Sequence, residues 1–368
     1  MFSKSGHHPD YFLMALIISL ALFGLVMLSS ASSELGKIKF NDSYYYLKHQ
    51  AINGLFIGII GFLIAFKINY QAYKRFALPL LILSLVLLAL VFTSLGVKTG
   101  GATRWLKIGP VSFQPAEILK LTFVIYLAAW LSNPKNNREK NFWSGFIPFL
   151  VIIGVIASLL LLQPATSMVA ILIGTALVVY FLGEAKVKFL LAVFGLAILG
   201  IGLIIYLTPY RLERVKTFFS PRSDSLGSSY HINEAQIAIG SGGITGVGYG
   251  NSRTKTSFLP APIDDSIFAV TAEELGFIGS GSLIAVFAAL TIRLFWLAKN
   301  LRDKFGQLIL VGFGSVIGIQ SIINIGAISG VFPLTGVPLP FISYGGTALA
   351  VFLTIGGVAL NISKYTKK

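Results

Sequence analysis

Long apolar runs alternate with short polar interruptions along almost the whole chain. Ten runs approach the roughly 20 residues that carry a helix across about 30 Å of hydrocarbon. They cover residues 11–31, 51–68, 77–97, 114–132, 145–163, 165–183, 188–208, 266–292, 305–330 and 340–361. The fifth and sixth are parted only around Gln163 and Pro164, where a proline without its N–H permits a tight break. The first run is too long for a cleaved signal peptide, and no small-residue cleavage site leads from it into a soluble domain. The pattern predicts an all-α membrane protein with about ten transmembrane helices in a single polytopic domain, 1–368. Two interruptions are longer than the others, 98–113 and 209–265, and loops of that length in a compact fold tend to be functional. The segment 209–265 keeps Tyr210, Phe218, Phe219, Tyr230, Ile237 and Phe258, so order is expected there, with a helix near 231–240.

Composition agrees with the pattern. With 55% hydrophobic and 12% charged residues, the chain cannot cover a water-facing surface of this size. The net charge of +15 would suggest nucleic acid in a soluble protein, but its distribution gives a different reading. With ten spans and both termini inside, fifteen basic residues fall on short inner segments, among them Lys67, Lys74, Arg75, Lys186, Lys299 and Lys364. Six fall on the two short outer loops: Lys37, Lys39, Lys48, Lys98, Arg104 and Lys107. Basic residues favour the cytoplasmic side, so both ends are expected in the cytoplasm and the long loop outside. The absence of cysteine excludes disulfides, thiolate nucleophiles and sulfur-ligated metals. The four histidines lack zinc spacing, and His7-His8 reads as a solvated pair in a polar tail.

Ionisable residues inside spans are costly and mark partners or sites. Glu117 and Lys120 stand three apart on one helical face. Asp264 and Asp265 open the eighth run, with Glu273 and Glu274 deeper in it. The topology places Glu117, Lys120 and Asp265 towards the outer leaflet, near Arg104, Trp105 and Lys107. Such a set suits an amphipathic, anionic substrate held at the outer surface. Each residue also has a plainer reading. Glu117 and Lys120 could be a neutralised pair that joins helices, and either aspartate could cap a helix N-terminus. Glu273 and Glu274 suit structural hydrogen bonds, as do Gln320 and Asn324. The run GSGGITGVGYG (240–250) lacks the Lys-Ser/Thr ending of a phosphate loop and reads as a turn-forming loop.

Five segments, in order, carry a resemblance. They are GLVMLSSAS (24–32), GGATRWLKIGPVSFQPAEILKL (100–121), YHINEAQIAIGSGGITGVGYGNS (230–252), LPAPIDDSIFAVTAEELGFIG (259–279) and NIGAISGVFPLTGVPLPFISYGG (324–346). Together they resemble the SEDS family of FtsW, RodA and SpoVE, with the wording around 261–266 closer to the FtsW branch. Two positions depart from the family pattern. Ala165 follows Pro164 where the family commonly has an acid, and His231 follows Tyr230 where glutamine is usual.

The resemblance implies a SEDS-type bundle in the bacterial cytoplasmic membrane, with the large extracytoplasmic loop between helices 7 and 8. It implies polymerisation of lipid II into glycan strands at the outer face, for division or elongation. A sugar hydroxyl then needs a general base, and a departing pyrophosphate needs cations or a metal. Asp265 aligns with the family's essential aspartate and is the expected base, or else the ligand of a divalent cation such as Mg or Mn. Arg104, Lys120 and Lys255 are the expected pyrophosphate partners, with Glu117 beside Lys120. Trp105 is expected on lipid or sugar, and Ser343 and Tyr344 are expected to shape the cavity. The implied partners are a class B penicillin-binding protein, other divisome or elongasome membrane proteins, lipid II and membrane lipids, with no nucleic acid. The rival reading is a lipid II flippase, which needs polar groups reachable from both leaflets. A scaffold that only recruits a partner would leave Asp265 without a task.

Overall fold

A computed structural model describes residues 7–99, 101–109, 111–133, 138–219, 229–257 and 259–367. The apolar runs become helices α1 (Tyr11–Phe40), α2 (Tyr45–Lys67) and α3 (Gln71–Leu90). A small sheet follows, with strands β1 (Gly96–Thr99), β2 (Ala102–Ile108) and β3 (Val111–Phe113). Next come α4 (Pro115–Leu131), α5 (Phe142–Leu162), α6 (Thr166–Leu182) and α7 (Val187–Leu207). The long loop contributes α8 (Pro209–Phe219) and α9 (Tyr230–Ser241). The bundle ends with α10 (Ile267–Lys299), α11 (Lys304–Ile328) and α12 (Gly346–Ser363). Eight of these are long and apolar enough to cross a membrane. The other two of the expected ten, α4 and α6, have 17 residues each and pack in the interior.

The sheet was not expected from an all-helical pattern. Its order is β1-β2-β3, both pairs antiparallel, and Val97 faces Trp105 across the first pair with a bulge after it. It is local to the loop and leaves the class all-α. The helix in the long loop falls where it was expected, as α9. Phe258 lies outside the described residues.

Helices α11 and α12 form the centre of the bundle, whereas α7 is almost wholly exposed at its periphery. Where lipid is the solvent, close backbone approach through small residues replaces hydrophobic burial as the source of packing. The α2–α12 contact shows this: a Cβ on Gly357 would strike the Phe62 carbonyl. Both termini lie at one end of the bundle, because the His7 N–H donates to the Lys364 carbonyl at 3.0 Å. The His7 ring also bonds the Thr366 carbonyl at 2.7 Å, so this histidine ties the two ends together instead of standing solvated. Nearby, Asp10 caps α1 and pairs with Arg293 of α10. From Asp10 to Ser30 the rise is about 30 Å, which is the hydrocarbon thickness.

At that level the long loop is clamped onto the bundle. Lys255 Nζ pairs with Glu274 at 2.7 Å and donates to Ser30 Oγ at 2.8 Å. The Glu273 carboxylate receives the Arg253 N–H at 2.9 Å and the hydroxyls of Ser252 and Thr254. The glycine run lies against a break in α10 at Gly276, whose φ of 66° and ψ of −165° leave the helical range. There Val247 and Gly248 donate to the carbonyls of Glu273 and Glu274, both at 3.0 Å. In return Phe277 donates to Gly243 and Ile278 to Ile244. A side chain at Gly276 would collide with the Gly246 backbone, so this position requires glycine twice over.

Candidate active site

The aspartate pair lies at the end of the bundle opposite the termini. Asp264 and Asp265 stand in a turn just before α10, which starts at Ile267 with Ser266 as its N-cap and no side-chain cap. Neither acid therefore opens or caps the helix, which corrects that expectation. The turn is closed by Asp264 N–H to the Ala261 carbonyl at 3.1 Å and Ser266 Oγ to the Pro260 carbonyl at 2.9 Å. Asn324 of α11 anchors it from below. Its amide donates to the Asp265 carbonyl at 2.9 Å and to the Val337 carbonyl at 2.7 Å. The Asp265 carboxylate faces Gly336, where even an added Cβ would stay 3.7 Å from Oδ2. That glycine leaves an approach to the carboxylate clear.

The two acids meet different surroundings. Burial pushes the Asp265 carboxyl up, while the charges of His231 and Arg214 pull it back down. Burial pushes the His231 imidazole down, and the Asp265 charge opposes that. Asp264 keeps surface open to solvent, yet protein crowds it closely. That crowding and the Asp265 charge push its carboxyl up to about 7, with Lys39 pulling the other way.

Beside Asp265 a cavity of about 260 Å³ opens between α8, α9 and the segment after α11. Glu213, Arg214 and Phe218 line it from α8, His231 from α9, and Phe332 and Pro333 from the far side. The His231 Nε2 lies 2.7 Å from Ser266 Oγ, and Arg214 Nη1 donates to the Leu334 carbonyl at 2.9 Å. Sequence reasoning assigned neither residue to the site. The signal for His231 was its departure from the family's glutamine; Arg214 had none beyond its charge and its place in the long loop.

The other expected site residues divide into three groups. Glu117 and Lys120 form a fully buried ion pair, 2.6 Å apart and at most 1% exposed. Lys120 also donates to Gln320 Oε1 at 2.8 Å and lies 4.8 Å from the centre of the Phe352 ring. Gln320 in turn donates to the Pro338 carbonyl at 2.7 Å. The pair thus supports the 337–338 segment behind the Asp265 turn and offers no surface to a ligand. Lys255 is held by Glu274, Ser30 and the Gly250 carbonyl, so its ammonium is engaged in the clamp between the long loop and the bundle. Ser343 is buried as well; its hydroxyl accepts the Leu339 N–H at 2.7 Å within a turn.

Arg104 and Tyr344 stay at the rim. Arg104 donates to the Gln163 carbonyl at 3.0 Å and to the Pro164 carbonyl, on the break between α5 and α6. The same break carries Ser167, whose hydroxyl donates to the Thr335 carbonyl at 2.9 Å, one residue from Gly336. Contacts therefore run from Arg104 across the Ala165 position to the mouth of Asp265. Tyr344 donates its N–H to the Ile263 carbonyl at 2.8 Å, and its hydroxyl meets His49 Nδ1 at 2.8 Å. Trp105 lies half-buried on β2.

Among the described residues no three His, Cys, Asp or Glu side chains converge to hold a metal ion. Asp265 offers a cation one carboxylate, so a divalent ion there would draw the rest of its shell from substrate phosphates and water.

A family model described as cell cycle protein, covering FtsW, RodA and SpoVE, matches residues 11–368. A probable peptidoglycan glycosyltransferase FtsW of Trichlorobacter lovleyi is 35% identical over 96% of this chain and 93% of its own length. The stage V sporulation protein E of Bacillus subtilis is 34% identical, over 98% of each chain. Among solved structures, a chain from work on coordination of polymerization and crosslinking by a peptidoglycan synthase complex aligns with a TM-score of 0.78 at 30% identity. That alignment covers 96% of this chain and 97% of the other. The rod shape determining protein RodA of Thermus thermophilus aligns at 0.70 and 26% identity, over 98% of both.

Proposed function

Because the chain belongs to the FtsW, RodA and SpoVE family of cell cycle proteins, we infer that it is a peptidoglycan glycosyltransferase of the bacterial inner membrane. The observation that carries the mechanism is Asp265: a half-buried carboxylate, facing Gly336, beside a cavity lined by Arg214 and His231. In this reading both termini are cytoplasmic, and the site faces outward from the opposite end. The substrate is lipid II, whose disaccharide is carried on a lipid pyrophosphate. Asp265 accepts the proton of an acceptor sugar hydroxyl as its oxygen attacks the donor's anomeric carbon. The new C–O bond forms while the bond to pyrophosphate breaks, and the lipid pyrophosphate leaves with its electron pair. A base within hydrogen-bond reach of that proton and a cation at the developing charge are what the step requires. Arg214 is the cation nearest this task, and Arg104 reaches the rim from the opposite side. Were a magnesium or manganese ion bound, the Asp265 carboxylate would be the residue to hold it, in place of its role as base, and the ion would supply positive charge for the pyrophosphate.

The partner in this reading is a class B penicillin-binding protein, supported by the likeness to a chain of a peptidoglycan synthase complex. The relatives named FtsW and SpoVE favour a role in division-type wall synthesis over elongation. The test is reconstitution in vesicles with labelled lipid II and the penicillin-binding partner. Glycan strands resistant to lipid extraction are expected. Movement of lipid II between leaflets without strand formation would instead establish a flippase.

A further inference from the structure

Asn324 of α11 is buried, 1% exposed, and its amide nitrogen makes two bonds at the candidate site. It donates to the Asp265 carbonyl at 2.9 Å and to the Val337 carbonyl at 2.7 Å. Carbonyl oxygens only accept, so the amide cannot be turned over without setting its own oxygen against them. That oxygen is buried and takes no hydrogen bond among the described residues. The side chain is therefore held from its donor side alone.

The two carbonyls belong to the two walls of the site. Asp265 carries the base, and Val337 follows Gly336, the residue that the Asp265 carboxylate faces. Neither wall is regular backbone at that point. The Ala269 N–H, due at the Asp265 carbonyl in a continued α-helix, goes to the Ser266 carbonyl at 2.9 Å. That leaves the Asp265 carbonyl to Asn324. Val337 lies in the stretch 333–339, which is neither helix nor strand. One nitrogen on a central helix thus ties the base to the wall opposite it. Gln320, one turn earlier on α11, reaches the Pro338 carbonyl and Lys120, so it supports the Gly336 wall alone.

Asn361 shows what an ordinary helix-joining amide does in this bundle. It is 2% exposed, donates to the Phe66 carbonyl at 2.7 Å and receives the Tyr70 N–H at 3.0 Å. It joins α12 to α2 and the turn after it, at the end that holds the termini and far from Asp265.

We propose that Asn324 is a positioning residue for the transfer step, setting the Asp265 carboxylate at its working distance from the wall at Gly336. This rests on the glycosyltransferase reading, because a base needs such placement only if it takes a proton from bound substrate. Asn324 acts through two backbone carbonyls and not by contact with the reacting atoms.

The test measures kcat and KM for labelled lipid II with the purified full chain and its penicillin-binding partner, together with thermal unfolding of each variant. Asn324→Asp keeps the outline of the side chain and loses the amide donors. Its kcat should fall about ten- to a hundredfold, the size of a small misplacement of a reacting group, with KM within about twofold of native. Asn324→Ser, smaller and uncharged, should show the same loss in kcat and serves if the aspartate variant does not fold. Asn361→Asp should lower the unfolding temperature and leave kcat native. Native kcat in a folded Asn324 variant, a loss confined to KM, or an equal fall in Asn361→Asp would overturn the proposal. Absence of strands from the native protein would instead overturn the glycosyltransferase reading on which it rests.

Discussion

At the scale of single residues, Asp265 must be deprotonated to accept a proton, and its burial raises the pH at which that condition is met. Strand formation should therefore fall on acidification through a limb above the ordinary carboxylate range of about 3.9. A positive His231 favours the ionised form of Asp265. Replacing it in His231→Gln removes that help and raises the carboxyl further, so the acid limb should move to higher pH. Initial rates between about pH 5 and 8, where imidazole charge changes, read this directly. A limb that stays put or moves to lower pH would show that His231 does not couple to the base. The conflict between an expected pyrophosphate role for Lys255 and its observed place also arises at this scale. Its charge was visible in the chain, but its partner Glu274 is nineteen residues away and Ser30 much further. Only the folded loop brings them together.

At the scale of elements, the polar contacts concentrate where helices meet. The pair Glu117–Lys120 lies wholly inside the bundle, so removing one member leaves the other uncompensated. Lys120→Met should destabilise the protein by about 3–5 kcal/mol, and Glu117→Gln with Lys120→Met together by much less. Thermal unfolding in detergent separates the two cases, and equal losses would argue that the pair does more than neutralise itself. The break at Gly276 is a second such junction. In Gly276→Ala the new methyl meets the Gly246 backbone, and the φ of 66° suits no other residue. The expected result is faster protease cleavage or hydrogen exchange in 241–255, with α1–α3 unaffected. The sequence showed the glycine run and Glu273-Glu274 as separate features. Their pairing depends on a helix break that apolar periodicity across 266–292 does not reveal. Hydropathy marked ten apolar runs, of which eight became helices long enough to cross lipid and two, α4 and α6, reach 17 residues; it missed the three short strands, which carry no comparable pattern.

For the whole molecule, the bundle's even number of crossings puts both termini at one end, in agreement with the bond from His7 to Lys364. From the charge bias that end is expected in the cytoplasm. Because the chain has no cysteine, single cysteines can report sidedness without background. Lys48→Cys and Lys107→Cys should react with an impermeant maleimide from outside intact cells. Lys186→Cys and Lys299→Cys should react only after permeabilisation, and the reverse pattern would invert the topology. At this scale the sequence was most informative: the all-α membrane fold and the family could be read from the apolar runs and five segments. The site was legible only in part. The motifs pointed to Asp265 and Arg104, whereas the place of Arg214 at the cavity, the contacts of His231 and the burial of Ser343 depend on how the long loop and the 329–345 segment pack. The proposed mechanism places the chemistry of strand formation on Asp265. The most direct measurement is glycan synthesis from labelled lipid II by the purified chain with its penicillin-binding partner, comparing native protein with Asp265→Ala and Asp265→Asn at matched folded yield. Strands are expected with the native protein, with a loss of at least about a hundredfold in both variants; native-like strand formation by either variant would show that Asp265 is not the base.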